Sequence, residues 1–358
     1  MNKILIVTLI LITGLNAAIA GNKDRAGQAG AYELLINPWA RSSGWHGINT
    51  ACVHGIEALN LNVGGLAFTG KTEVVFSHCN YLQGTGININ SFGFSQNIGH
   101  DGVIGVDVMS MSFGDIMTTT VNLPEGGIGT FKPQFINLAL AYSKAFSRSI
   151  YGGITLRGVT EGIADAKASG IGLDAGIQYV TGDGRYDDRI KFGIALRNIG
   201  TPLKFQGDAL TYKGDAQDGN YTMTVSERSQ EFELPSLLNI GASYDFHFGK
   251  KMEGKTNMTT NRITLAGNFA SHSFSRDNIG IGLEYSLKNE FMVRVGYNYE
   301  SGITNPDERT TVYTGIAGGF TFELPLSKKT GNTVGLDYSY RASNPWGGTH
   351  TLGVRFNM

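Results

Sequence analysis

Beyond its first residues, this chain has no apolar run long enough to cross a bilayer as a helix, which takes about 20 residues. Proline is scarce, with 8 among 358 residues, whereas 50 are glycine, so the composition is not that of a disordered chain. The formal net charge of -1 provides no electrostatic footprint for nucleic acid. The composition also does not shift along the chain, so no domain boundary is indicated. We therefore predict one large folded domain.

The N-terminus has the pattern of an export signal. Met1-Asn2-Lys3 is followed by an apolar run from Ile4 to Leu15 and by the small-residue sequence Ala18-Ile19-Ala20. This order predicts a secretory signal peptide at 1–20 and a mature chain that starts at Gly21. A membrane-anchoring helix is the alternative, but the apolar run falls short of the roughly 20 residues that it needs.

From residue 69 onward, apolar and polar residues alternate in segments of strand length. The clearest pair spans 279–287 and 291–299 and turns at Lys288-Asn289-Glu290, which is the pattern of a β-hairpin with one apolar face. About fourteen such segments occur, each as long as a tilted membrane strand. Their centres lie near Phe76, Phe92, Val106, Ala139, Ile154, Leu173, Ile194, Ile240, Leu265, Leu283, Val295, Gly318, Leu336 and Val354.

An exported chain with these segments and no spanning helix predicts an all-β fold at 69–358. In lipid, only a closed barrel satisfies the backbone hydrogen bonds of every strand, and single-chain bacterial barrels have an even number of strands. We therefore predict an antiparallel transmembrane β-barrel of about fourteen strands in the outer membrane of a Gram-negative cell.

The placement of charge indicates which face of each strand points outward. The charged residues within strands fall on the less apolar face, and a basic residue facing lipid at the midplane would cost about 2–4 kcal/mol. The residues concerned are Arg157, Lys191, Arg197, Glu284, Arg294, Asp337 and Arg355. We therefore predict that the opposite face, with Leu283, Val295, Leu336 and Val354, touches lipid.

Residues 21–68 lack strand alternation but contain many apolar residues. A short amphipathic stretch is broken at Pro38, which predicts an N-terminal plug inside or beneath the barrel. A flexible periplasmic tail is the alternative, although it fits poorly with the apolar content. Glycines on the inward face either make room for a plug or ligand or ease strand bending. These glycines are Gly172, Gly193, Gly280, Gly282, Gly335 and Gly353.

The sequence shows few patterns that indicate a disulfide, a metal site or a catalytic site. In an oxidising compartment the two cysteines, Cys52 and Cys79, form either a disulfide between plug and barrel or two separate thiols. The seven histidines show no metal spacing, and His46 and His54 are expected to be surface or hydrogen-bonded side chains. No Gly-x-Ser-x-Gly elbow and no combination of Ser, His and acid stands out. We predict no metal, no cofactor and no enzymatic activity, with a lipid-modifying enzyme as a remaining alternative.

The longest connections, 112–134 and 198–234, fall on the side predicted to be extracellular. The second connection carries apolar residues in polar surroundings, and exposed apolar clusters mark contact surfaces. The predicted partner-binding residues are Leu203, Phe205, Leu210, Tyr212, Tyr221 and, in the last extracellular turn, Trp346. The alternatives are a loop that packs upon itself and a tryptophan that anchors the barrel at the membrane interface.

The stretch ELLINPWARSSG, Glu33 to Gly44, followed by LNVGGLAF, Leu61 to Phe68, resembles the PorV/PorQ family of the Bacteroidetes type IX secretion system. Trp39 stands where family members typically have Asp. The family is similar in its arrangement of plug and fourteen-stranded barrel to the long-chain fatty-acid transporter FadL. The resemblance therefore implies a FadL-like, non-enzymatic outer-membrane barrel.

PorV-like members receive secreted proteins by their C-terminal signal domain as they leave the SprA-type translocon barrel, and carry them to the surface attachment complex with its PorU-type sortase. PorQ-like members belong to that attachment complex. The resemblance implies the PorV-like function first, with outer-membrane lipid around the barrel and no nucleic acid among its partners. A PorQ-like subunit and a FadL-like transporter of hydrophobic small molecules are the alternatives.

Overall fold

The computed structural model describes most of the chain in one closed barrel. The predicted signal peptide at 1–20 lies outside the described residues. The described ranges are 21–99, 102–181, 188–215, 221–251, 259–326 and 331–358. No helix within these ranges is long and apolar enough to cross a membrane.

Fourteen antiparallel strands pair in sequence order, and the first pairs with the last to close the ring. The strands are β1 (Thr72–Tyr81), β2 (Ile87–Gly99), β3 (Gly102–Ser112), β4 (Gln134–Ala145), β5 (Ile150–Ile163), β6 (Ala166–Thr181), β7 (Ile190–Gly200), β8 (Leu237–Lys251), β9 (Thr259–His272), β10 (Asn278–Leu287), β11 (Phe291–Glu300), β12 (Tyr313–Pro325), β13 (Thr333–Ser343) and β14 (Thr349–Asn357). Each of the predicted strand centres lies within one of them, so the predicted number of strands is confirmed.

Apolar side chains cover the outside of the barrel. Leu283 is 41% exposed, Val295 51%, Leu336 47% and Val354 37%, and they alternate with buried neighbours along their strands. A continuous apolar surface around a whole barrel is far larger than the patches that soluble proteins expose. The outward face is therefore the one predicted, and its composition is that of a lipid-facing wall.

The inward face pairs its charges between neighbouring strands. Arg157 on β5 meets Asp174 on β6 at 2.5 Å, and Lys191 on β7 meets Asp245 on β8 at 2.7 Å. Further round the ring, Arg294 on β11 lies 3.0 Å from Glu284, and Arg355 on β14 lies 3.3 Å from Asp337. Side chains directly opposite each other, or one step diagonal, are close enough to pair. Such pairing keeps buried charges from being left uncompensated.

The two edges of the barrel differ in the length of their connections. We call the edge with connections 113–133, 201–236 and 301–312 the long-loop rim, and the edge with 146–149 and 288–290 the short-turn rim. In the turn 288–290, Lys288 and Asn289 both have a φ of 55°, the left-handed conformation that tight hairpins require. The connection predicted at 247–260 is shorter than expected, because β8 runs to Lys251 and β9 starts at Thr259.

Residues 21–68 run lengthwise through the barrel from the long-loop rim. They form the 3₁₀ helices Lys23–Arg25, Tyr32–Leu35, Gly55–Asn60 and Val63–Phe68, and the α-helix α1 (Ala40–Gly44). At the start, the Gly21 amide donates to Asp277 Oδ2 between β9 and β10 (2.7 Å). At the end, Thr69 Oγ1 lies 3.0 Å from Ser95 Oγ, and β1 begins at the short-turn rim.

This N-terminal segment packs against strands all around the ring. Its Trp39, Ile56 and Leu66 are fully buried. Arg157 donates to the Leu59 carbonyl oxygen, and Asn62 Nδ2 donates to the Ile177 carbonyl oxygen at 3.0 Å. The segment therefore occupies the lumen along the described part of the barrel. Its action as a plug against solutes stays a prediction.

Several inward glycines are needed because the N-terminal segment approaches the wall closely. A Cβ at Gly193 would lie 2.5 Å from the Thr50 carbonyl oxygen, and one at Gly280 or Gly282 would lie 2.5 Å from Ile48 or Trp45. At Gly172 and Gly335 the nearest atoms belong to Leu234 and Arg355, outside the segment, and at Gly353 the contact with Ala40 is an ordinary 3.4 Å. The first three glycines therefore make room for the segment.

The two cysteines are free thiols and lie towards opposite ends of the barrel. Cys79 belongs to a buried cluster with Leu34 and Ile89, in the half nearer the long-loop rim. Cys52 lies beside Lys191 and Arg262, in the half nearer the short-turn rim. The sequence left open a disulfide or two separate thiols, and in the structure the two thiols are separate.

Candidate functional site

A cavity of 670 Å³ lies between the N-terminal segment and the barrel wall on the side of the long-loop rim. We call it the rim cavity. Its lining comes from the segment (Ile36, Ile48), from strand ends and from the connections 273–277 and 301–312. A volume of this size is typical of small-molecule sites, which span about 300–1,000 Å³.

Most of the rim cavity is apolar. Ile36, Tyr81, Ile87 and Phe113 line it and pack at the same time against the buried cluster around Phe135. They are brought together because β1 and β3 end here, β2 begins here, and the N-terminal segment passes across the inner face of these strands. An apolar body placed in the cavity would therefore contact side chains that the fold already holds in position.

One corner of the rim cavity is polar and is formed by His46, Tyr313 and Arg341. The Arg341 guanidinium stacks over the Tyr313 ring, 4.7 Å from its centroid, and the Tyr313 hydroxyl lies 3.2 Å from Thr349 Oγ1. The His46 ring meets the Tyr313 ring edge-on with centroids 5.6 Å apart. Arg341 is 7% exposed, and its Nε and Nη2 have no hydrogen-bond partner among the described residues.

Further unpaired polar atoms lie in the wall opposite. Arg197 Nη2 donates to the Leu34 carbonyl oxygen at 3.1 Å, while its Nε has no partner among the described residues. Asn268 Nδ2 donates to Asn239 Oδ1 at 3.2 Å, which leaves Asn239 Nδ2 and Asn268 Oδ1 unused. The cavity therefore presents polar groups at two places on an otherwise apolar lining.

Burial makes the histidines of the N-terminal segment hard to protonate. Desolvation and the neighbouring Arg341 charge lower the pKa of His46 to about 4. Desolvation, with Lys191 and Arg41 nearby, also lowers the pKa of His54 well below its usual value. Both side chains are therefore neutral at neutral pH, and neither adds positive charge to the lumen.

A second, polar cavity of 350 Å³ lies towards the short-turn rim and is lined by Arg41, Cys52, Lys191, Arg262 and Glu284. Its charges are paired: Arg262 Nη2 lies 3.0 Å from Glu284 Oε1, and Arg41 lies 3.6 Å from Glu57. The stretch 42–51 lies between the two cavities: Ser43, His46 and Ile48 line the rim cavity, and Trp45 and Asn49 line the second one. Within the described residues, no group of three or more His, Cys, Asp or Glu side chains could hold a metal ion.

The partner-binding residues predicted in connection 201–236 differ in how exposed they are. Leu203 is fully buried and Phe205 is half-buried, its ring 6.4 Å from that of Phe232, so both fasten the base of the connection. Leu210, in a short 3₁₀ turn, is half-buried as well. Tyr212 and Tyr221 are 57% and 62% exposed.

The strands Thr211–Asp215 and Thr222–Ser226 pair as a separate hairpin beside these two tyrosines. The exposed part of the predicted surface is therefore this hairpin, which we call the rim hairpin.

Trp346 does not join the rim hairpin. It is 39% exposed in the connection between β13 and β14, where Ser343 Oγ donates to its carbonyl oxygen at 3.1 Å. The rim hairpin rises between β7 and β8, half of the ring of strands away. Strand order places Trp346 and the long connection on opposite sides of the ring, and a role of Trp346 in partner binding stays a prediction.

Sequence reasoning did not single out His46, Tyr313 or Arg341. Arg341 lies on the inward face of β13, two and four residues after the inward Ser339 and Asp337, so alternation could have placed it in the lumen. Its lack of an acidic partner follows only from the strand register, in which it lies opposite Ala317 and Thr349. The sequence pattern carries no signal for that.

The fold is that of solved hydrocarbon-transporter barrels. The toluene transporter TbuX of Ralstonia pickettii has a TM-score of 0.50 at 11% identity, over 90% of this chain and 97% of that one. The toluene transporter TodX of Pseudomonas putida has a TM-score of 0.50 at 12% identity, over 87% and 96%. A Pseudomonas aeruginosa FadL homologue has a TM-score of 0.47 at 11% identity, over 88% and 96%.

With the closed ring of fourteen strands, the likeness to the two transporters at a TM-score of 0.50 confirms the predicted barrel fold, and at these identities it extends to the fold alone. No protein-family model matches the chain, and a search of the curated proteins gives no match either. The structural neighbours with a TM-score of 0.50 or 0.51 are, by their names, transporters and a channel. The type IX assignment therefore continues to depend on the sequence stretches Glu33–Gly44 and Leu61–Phe68.

Proposed function

We propose that the chain is an outer-membrane barrel that acts through its long-loop rim and not as an open pore. More specifically, we propose a PorV-like role. The protein binds the C-terminal signal domain of secreted cargo at the SprA-type translocon barrel of the type IX secretion system. It then carries the cargo to the surface attachment complex with its PorU-type sortase. The rim hairpin with its exposed tyrosines is the observation that carries this proposal.

The occupied lumen supports action at the rim. A fourteen-stranded barrel is close in size to the larger porins, whose lumen is an aqueous channel. Here Trp39, Leu59 and Leu66 of the N-terminal segment are buried inside it. Arg157 of the wall donates both to Asp174 on the next strand and to the Leu59 carbonyl oxygen of the segment. A carrier of folded cargo needs an outer surface and an anchor in the membrane, and no path through the barrel.

The chemistry of the rim hairpin suits a protein contact. Tyr212 lies on one of the paired strands and Tyr221 directly precedes the other, and a tyrosine side chain loses little conformational entropy when a partner covers it. Exposed aromatic residues supply much of the affinity at protein interfaces, at about 2 kcal/mol or more each for the strongest. Leu203, buried at the base, fixes where the hairpin stands and is not available to a partner.

The test is a pull-down with Tyr212→Ser and Tyr221→Ser combined, using the translocon barrel and a tagged cargo C-terminal signal domain as the partners scored. Tyr179→Ser is the matched control, because Tyr179 is 41% exposed on the wall at the other end of the barrel. We expect both partners to be lost from the double variant and kept by the control. Full recovery of both partners would remove the hairpin from the mechanism. Recovery with the attachment complex alone would favour a PorQ-like subunit.

A second candidate is FadL-like uptake of hydrophobic small molecules, which the rim cavity favours. Its apolar lining around Ile36, Ile87 and Phe113 suits an apolar ligand that enters from the long-loop rim. Onward passage would require the N-terminal segment to move, because the stretch 42–51 lies between the two cavities. A hydrophobic molecule that co-purifies in stoichiometric amount, while cargo does not, would favour this candidate.

A further inference from the structure

One stretch of the apolar outer wall carries polar side chains. His78 and Asn80 on β1, Asn90 on β2 and His350 on β14 all lie on the outward face, and the first three are exposed. In the strand register His78 lies opposite Asn90, and Asn80 lies opposite His350, so the four side chains are neighbours. We call these four residues the wall patch.

The depth of the wall patch follows from counting residues above the short-turn rim. Thr72, the first residue of β1, pairs with Met358, which is apolar and 51% exposed, so the apolar band begins here. His78 comes six residues later. At a rise of about 2.5 Å per residue in a tilted strand, it lies about 15 Å above the rim, inside an apolar band about 25 Å tall.

Other strands have apolar residues at the same depth. Six residues above the short-turn rim, β5 has Leu156 and β10 has Ile281, which are 48% and 58% exposed. Polar side chains are costly against lipid, and in membrane proteins they almost always face protein or a water-filled cavity. The wall patch is therefore a part of the outer surface that we expect protein to cover.

The wall patch uses only part of its hydrogen-bonding capacity within one molecule. His78 Nδ1 lies 2.8 Å from Asn90 Oδ1, and His350 Nδ1 lies 2.8 Å from the Tyr338 hydroxyl. Among the described residues, the Nε2 atoms of both imidazoles, Asn90 Nδ2 and the Asn80 amide have no further partner. The hydrocarbon region offers no water to bond them, so another protein surface has to supply the partners.

The chemistry of the wall patch fits a second copy of this chain. The patch contains no Asp, Glu, Lys or Arg, and its imidazole and amide groups each donate and accept hydrogen bonds. Two copies in one membrane share the same orientation. A two-fold axis along the membrane normal therefore brings the patch of one copy to that of the other at the same depth. A different partner would have to carry matching polar groups at that depth.

A groove in the same wall adds an apolar part to the contact. It has a volume of 440 Å³ and is lined by His78 and Asn90 together with Phe76, Phe92, Val108, Leu352 and Val354. Phe76 and Leu352 are each 52% exposed. Each copy therefore offers protruding apolar side chains and a recess that can receive those of the other copy.

We propose that two copies of the chain associate side by side in the membrane through the wall patch and this groove. The contact goes beyond both candidate functions and is compatible with either. The rim hairpin rises between β7 and β8, half of the ring away from β14 and β1, so both hairpins of the dimer stay free for other partners.

The test is photo-crosslinking of the full chain in intact outer membranes. Leu352→p-benzoyl-Phe places the probe at the groove, and Ile194→p-benzoyl-Phe is the control, because Ile194 is 54% exposed on β7, half of the ring away. We expect a covalent dimer that contains only this chain from position 352 and none from position 194. A product with a different protein would overturn the second copy as the occupant. Absence of any protein product, or equal dimer from both positions, would overturn the contact.

Substitutions in the probe-carrying chain then locate the contact. His78→Leu combined with Asn90→Leu is expected to lower the crosslinked fraction about tenfold, because each lost group is missing from both copies. His78→Gln keeps a donor and an acceptor and is expected to keep the dimer. An unchanged dimer in the double leucine variant would overturn the role of the wall patch.

Thr160→Leu combined with Ser169→Leu is the matched control for these substitutions. The two hydroxyls form another outward pair, 3.1 Å apart on β5 and β6, and Thr160 is ten residues above Ile150, towards the long-loop rim. We expect this variant to crosslink as the unsubstituted chain does. Loss of the dimer from it as well would show that the wall patch is not specific. The heat-modifiable band confirms that every variant compared is a folded barrel.

Discussion

At the scale of single residues, the inner wall is shaped to fit the N-terminal segment. Trp45 is 3% exposed and lies against Gly282 on β10 and Gly296 on β11. A side chain at Gly282 would place its Cβ 2.5 Å from the indole ring, a distance at which one of the two must move. The glycines thus set how closely the segment can pack, which the alternation of the strands alone does not show.

We expect Gly282→Val to destabilise the folded protein by about 1–3 kcal/mol, the usual cost of overpacking a filled interior. Gly158→Val is the matched control, because Gly158 lies on the outer face with no atom within 4 Å of the added Cβ. The measurement is the temperature at which the heat-modifiable band of the folded barrel disappears. Equal temperatures for the two variants would show that the segment does not pack against Gly282.

The neutral histidines make stability depend on pH. The folded-state pKa of His46 is about 4 against an ordinary 6.5, so between these values the unfolded chain binds a proton that the folded chain does not. Because the folded pKa is the lower one, the contribution of His46 is complete above about pH 6.5 and is lost as the pH falls towards 4. The pKa of His54 is also lowered in the folded protein, so His54 likewise makes stability fall as the pH falls.

We therefore expect His46→Gln combined with His54→Gln to flatten the fall in thermal stability below pH 6.5. His78→Gln, at an exposed position of β1, should leave the profile as in wild type. Melting curves followed by tryptophan fluorescence report on the segment, since Trp39 and Trp45 belong to it. Superimposable profiles for wild type and the double variant would contradict this origin of the pH dependence.

At the scale of strands, alternation predicted both the number of elements and the side that each residue faces. It succeeded because a strand buried on one face has a strict period of two, and a slip by one residue would turn Arg157 or Arg294 outward. The pairing of those charges could not be predicted, because it depends on register between strands. Likewise Leu203 looked like an exposed contact residue, yet it is fully buried, and a Cβ added at Gly30 or Gly170 would lie 3.0 or 2.9 Å from its side chain.

The strand register also identifies an experiment that tests which face of β10 points to lipid. We expect Leu283→Arg to reduce recovery of the folded barrel strongly, since arginine near the bilayer midplane costs about 2–4 kcal/mol. Tyr212→Arg puts the same side chain on the exposed rim hairpin and is expected to be neutral. Glu284→Ser is not a suitable control, because Glu284 pairs with both Arg262 and Arg294. Equal recovery of both arginine variants in the membrane fraction would mean that β10 is turned the other way.

At the scale of the whole molecule, the lumen is occupied along its length by one continuous stretch of chain. Deletion of 21–68 is expected to raise single-channel conductance in planar bilayers, since a barrel of this strand number is wide enough for water once emptied. Deletion of 211–226, whose two paired strands belong to a sheet separate from the barrel, should leave conductance as in wild type. Unchanged conductance in a heat-modifiable barrel without 21–68 would show that the segment does not block the lumen.

The lengthwise course of the N-terminal segment also dictates an order of assembly. Gly21 is held at one rim by Asp277, and the chain emerges at the other rim to begin β1, which then pairs with both β2 and β14. A finished ring offers no lateral entrance to a stretch that spans it from end to end. We therefore expect the β1–β14 pairing to form last, around a segment already laid against the other strands, because a ring closed earlier would leave the segment outside the lumen.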